Sequence, residues 1–221
     1  MNKLISIIMP VKNGENYLKE ALENIKEQNL NMEIIVVNDG STDNTENVAK
    51  EYGCIVINKE KSEGPVKAKN DALKMANGEY ILFHDHDDLM RGNALKTLYN
   101  EIENDINISA VEAKVKDFIS PDVPQEEAIR TVIKPEAYFG LFSGAILIRK
   151  AVFDVIGFFD ESVTAGEIID WQGKMDKNNL KIKKIDFIST DRRIHSTNFG
   201  KTQRKTEFKD YAALLRARLK K

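Results

Sequence analysis

The sequence has few of the residues and runs that mark secreted, membrane or disordered proteins. With one cysteine in 221 residues no internal disulfide can form, so we expect Cys54 to be a small core residue in a reducing compartment. No run approaches the roughly 20 apolar residues that span a bilayer, and the short N-terminal apolar run does not resemble a signal peptide. Five prolines and twelve glycines are too few to indicate a linker or a low-complexity segment. These absences predict a cytoplasmic protein.

An excess of charge of one sign is also missing. The 33 Lys and Arg residues nearly balance the 35 Asp and Glu residues, which leaves a formal net charge of −2. A chain with this balance is not built as a whole to bind nucleic acid. The apolar share of 42% over 221 residues is enough to bury one full core. We therefore expect a single domain over residues 1–221.

Apolar runs and helical patterns alternate through the first ninety residues. The predicted strands cover residues 4–9, 33–37, 54–57 and 80–83. The predicted helices between them cover about 17–25, 43–52 and 66–75. Strands separated by helices predict an α/β fold with a mostly parallel sheet and right-handed crossovers.

The second half of the chain has a less regular pattern. Residues 118–136 are polar and rich in proline, which predicts a loop. We predict a strand over 143–148, a helix over about 165–179, an edge strand over 181–188 and a final helix from about residue 206.

An acidic cluster, Asp85-His86-Asp87-Asp88, directly follows the fourth predicted strand. Three carboxylates in four positions repel one another, so a folded chain needs a reason to gather them. Alternation along the strand would place Asp85 and Asp87 on one side of its C-terminal end. Two oxygen donors there suit Mg²⁺ or Mn²⁺ that also carries phosphates. The alternative is a polar turn in which Asp88 or Asn93 caps the next helix.

Polar residues also follow the other predicted strands. Asn13, Asp39 and Asp85 each come just after a strand, and in open parallel sheets ligands bind at that edge. No P-loop or dinucleotide fingerprint follows the first strand, so a nucleotide would be held by side chains and a metal ion. Asp39 could accept a hydrogen bond from a pyrimidine N–H, or it could simply form an Asx-type turn.

Several segments together resemble those of family 2 glycosyltransferases of the GT-A fold. Residues 6–14 read Ser-Ile-Ile-Met-Pro-Val-Lys-Asn-Gly, residues 34–43 read Ile-Ile-Val-Val-Asn-Asp-Gly-Ser-Thr-Asp, and residues 78–83 run into the acidic cluster. Residues 157–161, Gly-Phe-Phe-Asp-Glu, resemble the segment before the family's catalytic helix. The resemblance implies a Rossmann-like fold and an inverting, metal-dependent enzyme that moves a sugar from a nucleotide diphosphate, most commonly UDP, to a hydroxyl acceptor. It also implies a role in making cell-surface polysaccharide or glycoconjugate, with a carbohydrate or glycolipid acceptor.

The resemblance implies a nucleotide pocket in the half formed by residues 1–90. By position, the residues that would line the base and ribose are Pro10, Val11, Asn13 and Asp39. Lys69 stands where the family usually has an arginine that meets the diphosphate or the base; a solvated helix face is the alternative.

The resemblance also implies a metal site. Asp85 and Asp87 resemble the family's Asp-x-Asp pair, which engages the ribose and a Mn²⁺ or Mg²⁺ ion. His195 resembles the C-terminal histidine that completes the metal shell in many GT-A enzymes. His84 and His86 are expected to be bystanders.

The catalytic and acceptor half, residues 91–203, departs from the family at the base. Where the family has a Glu-Asp pair, this chain has Glu167 followed by Ile168. Glu167 and Asp170 lie three apart and share a helix face, so either could be the base; we favour Asp170, with Glu167 second. The alternative is that both are ordinary surface or capping carboxylates. Trp171 is expected to stack on an acceptor sugar.

Two further expectations concern the acceptor side. Gly144 could let a sugar approach the backbone closely. The basic segment 204–221 predicts an amphipathic helix that packs on the domain, docks on a partner or gives a peripheral membrane contact.

Two other hypotheses remain open. One is a catalytically impaired sugar-nucleotide-binding protein of the same fold, whose base was lost at Ile168. The other is a nucleotidyltransferase, which the sequence disfavours because no glycine-rich basic loop follows Ile8.

Overall fold

The computed structural model describes residues 2–139, 143–163 and 166–198, which build one mixed β-sheet with helices on both faces. The strands are β1 (Ile5–Val11), β2 (Met32–Asn38), β3 (Ile55–Asn58), β4 (Tyr80–Phe83), β5 (Leu89–Met90), β6 (Ile108–Ile119), β7 (Ile146–Arg149) and β8 (Lys181–Ile194). The helices are α1 (Glu15–Lys26), α2 (Thr45–Glu51), α3 (Pro65–Met75), α4 (Ala94–Glu103), α5 (Gln125–Arg130), α6 (Ala151–Ile156) and α7 (Glu167–Lys177). A short 3-10 turn, Ser143–Ala145, precedes β7.

The sheet order is β3-β2-β1-β4-β7-β6-β8-β5. The first four of these strands run parallel, as the alternation of strands and helices predicts. β7 then runs antiparallel to both β4 and β6, β8 is parallel to β6, and β5 is antiparallel to β8. The predicted α/β architecture is confirmed, and its parallel part lies in the N-terminal half.

Each face of the sheet carries its own hydrophobic core. Because strand side chains alternate between faces, β1 sends Ile5, Ile7 and Met9 to one core and Ile8 to the other. α1 and α4 cover the first core, and α3, α6 and α7 cover the second. Cys54 is partly buried against the first core, and burial raises the pKa of its thiol to about 11, so it is not a reactive thiolate.

Trp171 contradicts the prediction that it stacks on an acceptor sugar. It is 1% exposed and belongs to the second core. The reason is the helical register of α7, in which Ile168, Trp171 and Met175 form one apolar stripe against the sheet. Glu167 and Asp170 are therefore left on the flank of the same helix.

The polar segment 118–136 is more ordered than the predicted loop. β6 continues into it as far as Ile119, and α5 forms a short helix within it. The predicted helix at 204–221 lies outside the described residues. No helix in the described ranges is long and apolar enough to cross a membrane.

The loop before β4 crosses the start of β1 at Gly78, and this close approach generates a stability prediction. A Cβ atom on Gly78 would lie 2.5 Å from the Ser6 backbone nitrogen and 2.9 Å from the Leu4 carbonyl oxygen. We expect Gly78→Ala to lower the free energy of unfolding by about 1–3 kcal/mol, as measured by urea denaturation. The matched control is Gly92→Ala, where an added Cβ meets nothing within 4 Å and the change should stay within about 0.5 kcal/mol. Equal effects of the two substitutions would contradict the proposed crowding.

Candidate active site

The loops that follow β1 and β2 are joined by direct hydrogen bonds. The Asn13 side-chain oxygen accepts the Thr42 N–H at 2.9 Å, and the Asn13 N–H donates to the Ser41 hydroxyl at 2.9 Å. The Asp39 N–H donates to the carbonyl of Val11 at 2.8 Å. Asn13 adopts a left-handed backbone conformation with φ 52°, which asparagine tolerates. Two of the predicted nucleotide contacts, Asn13 and Asp39, thus lie on adjacent, joined loops.

Pro10 and Val11 end β1 at the same edge of the sheet. Pro10 is partly exposed there, whereas Val11 is 1% exposed and its side chain belongs to the first core. The pleat of β1 turns the Val11 side chain inward, so this side chain does not face the edge of the sheet. The contact of Val11 with a nucleotide stays a prediction.

The buried Asp39 carboxylate holds the loop that leads into α3. It accepts hydrogen bonds from the Ser62 hydroxyl at 2.7 Å, the Glu63 N–H at 2.8 Å and the Gly64 N–H at 2.9 Å. Gly40 lets the two loops meet, since its φ is 68° and a Cβ there would lie 2.6 Å from the Ser62 nitrogen. A carboxylate offers about four acceptor positions, so a base N–H would have to share Asp39 with this loop or displace one of its donors.

Lys69 on α3 forms a buried ion pair with Glu167 on α7. Lys69 is 6% exposed, and its ammonium also lies 5.8 Å from the centre of the Phe83 ring. The structure thus brings together a residue predicted to meet the diphosphate and a candidate base. The predicted alternative, a solvated helix face for Lys69, is excluded by this burial.

Asp170 has a different partner. Its carboxylate lies 2.8 Å from the ammonium of Lys174 one turn later, and the Lys174 ammonium also donates to the Phe158 carbonyl at 3.3 Å. Ile168, which the sequence prediction places at the position of the family's usual base, is in the second core. The carboxylates available at the start of α7 are therefore Glu167 and Asp170.

The acidic cluster forms a turn and not a strand end. β4 stops at Phe83, and the Asp88 N–H donates to the Asp85 carbonyl at 3.3 Å. The argument from strand alternation is therefore wrong for Asp85 and Asp87, because neither residue is in the strand. His86 packs against the loop after β1, since a Cβ on Gly14 would lie 2.7 Å from the His86 ring.

Asp87 meets His195 from the end of β8. The Asp87 Oδ2 lies 2.8 Å from His195 Nε2 and 3.2 Å from the Asn198 side-chain nitrogen. The His195 ring also contacts the Tyr17 ring, with 4.6 Å between their centres. Burial alone would raise the pKa of the Asp87 carboxyl, but the hydrogen bond from His195 and the positive charges of His86 and His195 outweigh it and lower the pKa. Asp87 is therefore held in its ionised form.

The possible metal ligands at this turn are Asp87, His195 and Asp85. Within residues 2–139, 143–163 and 166–198, no three His, Cys, Asp or Glu side chains are placed to hold one ion. Asp87 and His195 do come together, and an ionised carboxylate with an imidazole suits Mn²⁺. Asp85 is partly exposed in the same turn. Mg²⁺ and similar ions commonly bind through one or two protein groups while substrate phosphates and water complete the shell, so the residues present fit an ion that binds together with a diphosphate.

Asp88 is buried behind this pair. Burial and repulsion from Asp87 and Asp85 raise its pKa well above the ordinary value. Its Oδ1 accepts the backbone N–H of Arg193 at 2.9 Å.

Arg193 is a contact of the acidic turn that the sequence prediction did not include. Its Nε donates to the Asp87 carbonyl at 2.8 Å. No local signal in the sequence identifies Arg193, because its side-chain acceptors lie on Asp87, Ser120 and Glu20, which are far apart in the chain.

Gly144 lies in the 3-10 turn before β7 and is buried. Its carbonyl accepts the Thr190 hydroxyl at 3.1 Å, and an added Cβ would make an ordinary 3.5 Å contact with the His84 ring. Its approach to a sugar stays a prediction. Gly140, in the same predicted segment, lies outside the described residues.

Comparison with known proteins agrees with this fold. Residues 6–159 match the family model described as glycosyl transferase family 2. An uncharacterized glycosyltransferase of Rickettsia typhi is 31% identical over 234 residues, which cover 99% of this chain and 72% of that relative.

Two solved structures are also similar. One is Staphylococcus aureus TarS 1–349 in complex with UDP-GlcNAc, with a TM-score of 0.71, 26% identity, and coverage of 88% of this chain and 59% of that chain. The other is the mannosyltransferase PcManGT of Pyrobaculum calidifontis in complex with GDP-Man and Mn²⁺, with a TM-score of 0.72 and 18% identity. The match covers all of this chain and 65% of PcManGT, so the chain spans less than two thirds of either solved chain.

Asp43 ties the starts of α1 and α2 beside this site and generates a pH-dependent prediction. Its carboxylate accepts the Glu15 N–H at 3.0 Å and the Thr45 N–H at 3.1 Å. Burial would raise its pKa, but the hydrogen bonds from Thr45 and Glu15 lower it. A lowered pKa in the folded state means that the ionised carboxylate adds stability above the unfolded pKa of about 3.9, and that this stability is lost as the pH falls through the lower folded value.

We therefore expect Asp43→Ala to cost about 1–3 kcal/mol in the free energy of unfolding at pH 7, and the difference from the unsubstituted protein to shrink below about pH 4. Urea denaturation over a pH series measures it. Asp186→Ala is the control, since the Asp186 side chain is 88% exposed and its ion pair with Lys114 should contribute little. A loss that stayed constant down to pH 3 would show that the ionised carboxylate is not its source.

Proposed function

The chain belongs to glycosyl transferase family 2, and from that premise we propose that it moves a sugar from a nucleotide diphosphate donor to a hydroxyl acceptor with inversion. The observation that carries this proposal is the contact of Asp87 with His195 beside the joined loops of Asn13 and Asp39. His86, packed on Gly14, links the acidic turn to those loops. A nucleotide and a metal ion would therefore bind at the carboxyl ends of β1, β2 and β4.

The proposed donor is a UDP-sugar. TarS, which is 26% identical to this chain, was crystallised with UDP-GlcNAc. Asn13 is exposed and Asp39 directly follows β2 next to it, so the base and ribose would lie over these two loops. The donor sugar and the acceptor are proposed only by class, as a hexose and a carbohydrate or glycolipid hydroxyl in cell-surface polysaccharide or glycoconjugate synthesis.

Asp87 and His195 would hold the ion, with Asp85 toward the ribose. The ion, when bound, would supply Lewis-acid stabilisation of the negative charge on the departing diphosphate. Before an ion binds, the protein's own contribution is to keep Asp87 ionised and to hold its carboxylate beside His195 and Asn198. Burial and repulsion from Asp87 and Asp85 raise the pKa of the neighbouring Asp88, which favours its neutral form.

Inversion requires a base that takes the acceptor proton as the hydroxyl attacks. We propose Asp170 for this role. Glu167 is held by Lys69 in a buried ion pair, and breaking a buried ion pair is costly. Asp170 pairs with Lys174 in a partly exposed contact one turn away on the same helix, an interaction of about 0.3–0.5 kcal/mol that an acceptor can displace.

A second candidate function is a sugar-nucleotide-binding protein without transfer activity. The observation that favours it is Ile168, which places an apolar core residue where the family's base usually stands. The two candidates make the same prediction for donor binding and opposite predictions for turnover.

Donor binding can be measured by thermal shift with UDP, GDP and dTDP, each with and without Mn²⁺. At a ligand concentration near 100 times Kd, linkage predicts about 2.7 kcal/mol of stabilisation, which is roughly 5–10 °C for a domain of this size. We expect UDP with Mn²⁺ to give this shift, and Asp87→Asn to remove the part that depends on Mn²⁺. Asp154→Asn, an exposed carboxylate on α6, is the control and should keep the full shift. No shift with any nucleotide would sink the proposed function.

The base can be identified by the turnover of a UDP-sugar with water or a test acceptor. We expect Asp170→Asn to lower turnover by 10²–10⁴-fold while UDP binding is kept, because general-base catalysis contributes about that much. Glu167→Gln should instead lower the Tm, since it leaves Lys69 buried without its charge partner. The opposite pattern would assign the base to Glu167. Donor binding by the unsubstituted protein without any turnover would favour the second candidate function.

A further inference from the structure

Arg193 joins the acidic turn to two other parts of the fold. The residue is 5% exposed, and its guanidinium donates to acceptors on three separate segments. Nε donates to the Asp87 carbonyl at 2.8 Å, one terminal nitrogen donates to the Ser120 hydroxyl at 3.2 Å, and the other donates to the Glu20 carboxylate on α1 at 2.6 Å. A side chain with these contacts fixes the position of the turn relative to α1 and the end of β6.

The strand register explains why this arginine meets Asp87. β5 follows the acidic turn directly and pairs antiparallel with β8, with Leu89 opposite Asp191 and Met90 opposite Thr190. Continuing this register places Asp87 opposite Arg193. Because β5 has only two residues, its pairing with β8 fixes the position of the turn weakly. The hydrogen bond from the Arg193 side chain to the Asp87 carbonyl adds a further contact between β8 and the turn.

Asp87 is thereby held at both ends. Its carboxylate contacts His195 and Asn198, and its backbone carbonyl accepts from Arg193. The next residue is fixed as well, since the Arg193 N–H donates to Asp88. With its carbonyl and carboxylate both held, Asp87 has little freedom to turn away from the proposed metal position.

The guanidinium is itself fixed by two aromatic rings. It lies 5.1 Å from the centre of the Tyr17 ring and 4.9 Å from that of Phe118. Tyr17 also contacts His195, so one ring touches both the arginine and the histidine that hold Asp87. A movement of Arg193 would therefore disturb its own hydrogen bond to Asp87 and, through Tyr17, the contact of His195 with Asp87.

We propose that Arg193 is a positioning residue for the metal ligand Asp87, acting from outside the metal shell. The inference rests on the proposed function, because it assumes that Asp87 binds a metal ion there. Outer-shell groups that orient a ligand typically change metal affinity by 10–100-fold when they are replaced. Lysine is a poor substitute, since a single ammonium cannot span three acceptors in the fork geometry of a guanidinium.

A purely structural role for Arg193 makes a different prediction, and Arg149 provides the matched control. Arg149 also donates to backbone carbonyls, at 2.7 Å to Ile108 and at 2.5 Å to Ile102. It pairs with Tyr80 at the start of β4, whereas the acidic turn follows the end of that strand. Arg149→Lys therefore removes a similar set of contacts far from Asp87.

The experiment measures Mn²⁺ affinity in the presence of saturating UDP, from the electron paramagnetic resonance signal of free Mn²⁺. We expect Arg193→Lys to weaken Mn²⁺ binding 10–100-fold and to leave UDP binding without metal unchanged. Arg149→Lys should lower the Tm but keep the Mn²⁺ affinity within about twofold of the unsubstituted protein, since the outer-shell effect is confined to groups that orient a ligand.

Glu20→Gln is the second variant and keeps the test decisive if Arg193→Lys does not fold. It removes the charge that anchors the far end of the guanidinium, on a side chain that is 55% exposed, and should weaken Mn²⁺ binding in the same direction. Unchanged Mn²⁺ affinity in the folded Arg193 and Glu20 variants would overturn the inference and leave the proposed function standing. If the unsubstituted protein binds no Mn²⁺ with UDP, the proposed function fails and the inference fails with it.

Discussion

The position of the acidic turn depends on the end of β8, which meets it through the two-residue pairing with β5 and through the hydrogen bonds of Arg193. β4 ends at Phe83, and the chain then passes through the three carboxylates of the acidic turn. Leu89 and Met90 follow the turn and pair with Asp191 and Thr190 of β8. That register places the end of β8 beside the turn. From there β8 supplies Arg193 to the backbone and leads to His195, which contacts the Asp87 side chain. A repulsive cluster becomes an ordered turn because a distant strand brings it hydrogen-bond donors.

A second constraint joins the two sequence positions where this chain departs from its family. Lysine stands at residue 69 where the family usually has arginine, and isoleucine stands at 168 where it usually has the base. In the fold, Lys69 pairs with Glu167, directly next to Ile168. Ile168 anchors the start of α7 in the core, which leaves Glu167 to meet the buried ammonium and Asp170 to face outward with Lys174.

Sequence patterns predicted the first half of the fold well because its signals are local. Buried parallel strands appear as continuous apolar runs, and the residues after them meet at one edge by topology alone. β6 was not predicted, although Val111, Ala113 and Val115 alternate with the charged residues Glu112 and Lys114 along it. The polar residues of this segment hide the strand pattern in the sequence. The strand is fixed by tertiary pairing, because β7 and β8 pair with it on either side.

The site predictions failed where local and tertiary arguments conflict. The sequence predicts that Trp171, next to Asp170, stacks on an acceptor sugar, yet its spacing from Ile168 and Met175 makes it a core residue. The Val11 side chain and Gly144 are buried as well, because burial is set by neighbours that the local sequence does not show. Arg193 shows the converse, since its contacts come from segments as far apart as Glu20, Asp87 and Ser120, which no short motif connects.

The acidic turn also divides its charge before any ligand binds. Burial raises the pKa of Asp88, and the added repulsion from Asp87 and Asp85 raises it further, whereas the contact with His195 outweighs burial at Asp87 and lowers its pKa. Two adjacent carboxyls are thus driven in opposite directions by their surroundings, a pattern that separates roles among titratable groups. The lowered pKa of Asp87 suits this residue to bind a cation, whereas the raised pKa of Asp88 favours its neutral form and so lessens the mutual repulsion inside the turn. Asp88 accordingly accepts the backbone N–H of Arg193, while Asp87 contacts His195 at the position where we propose that a metal ion binds.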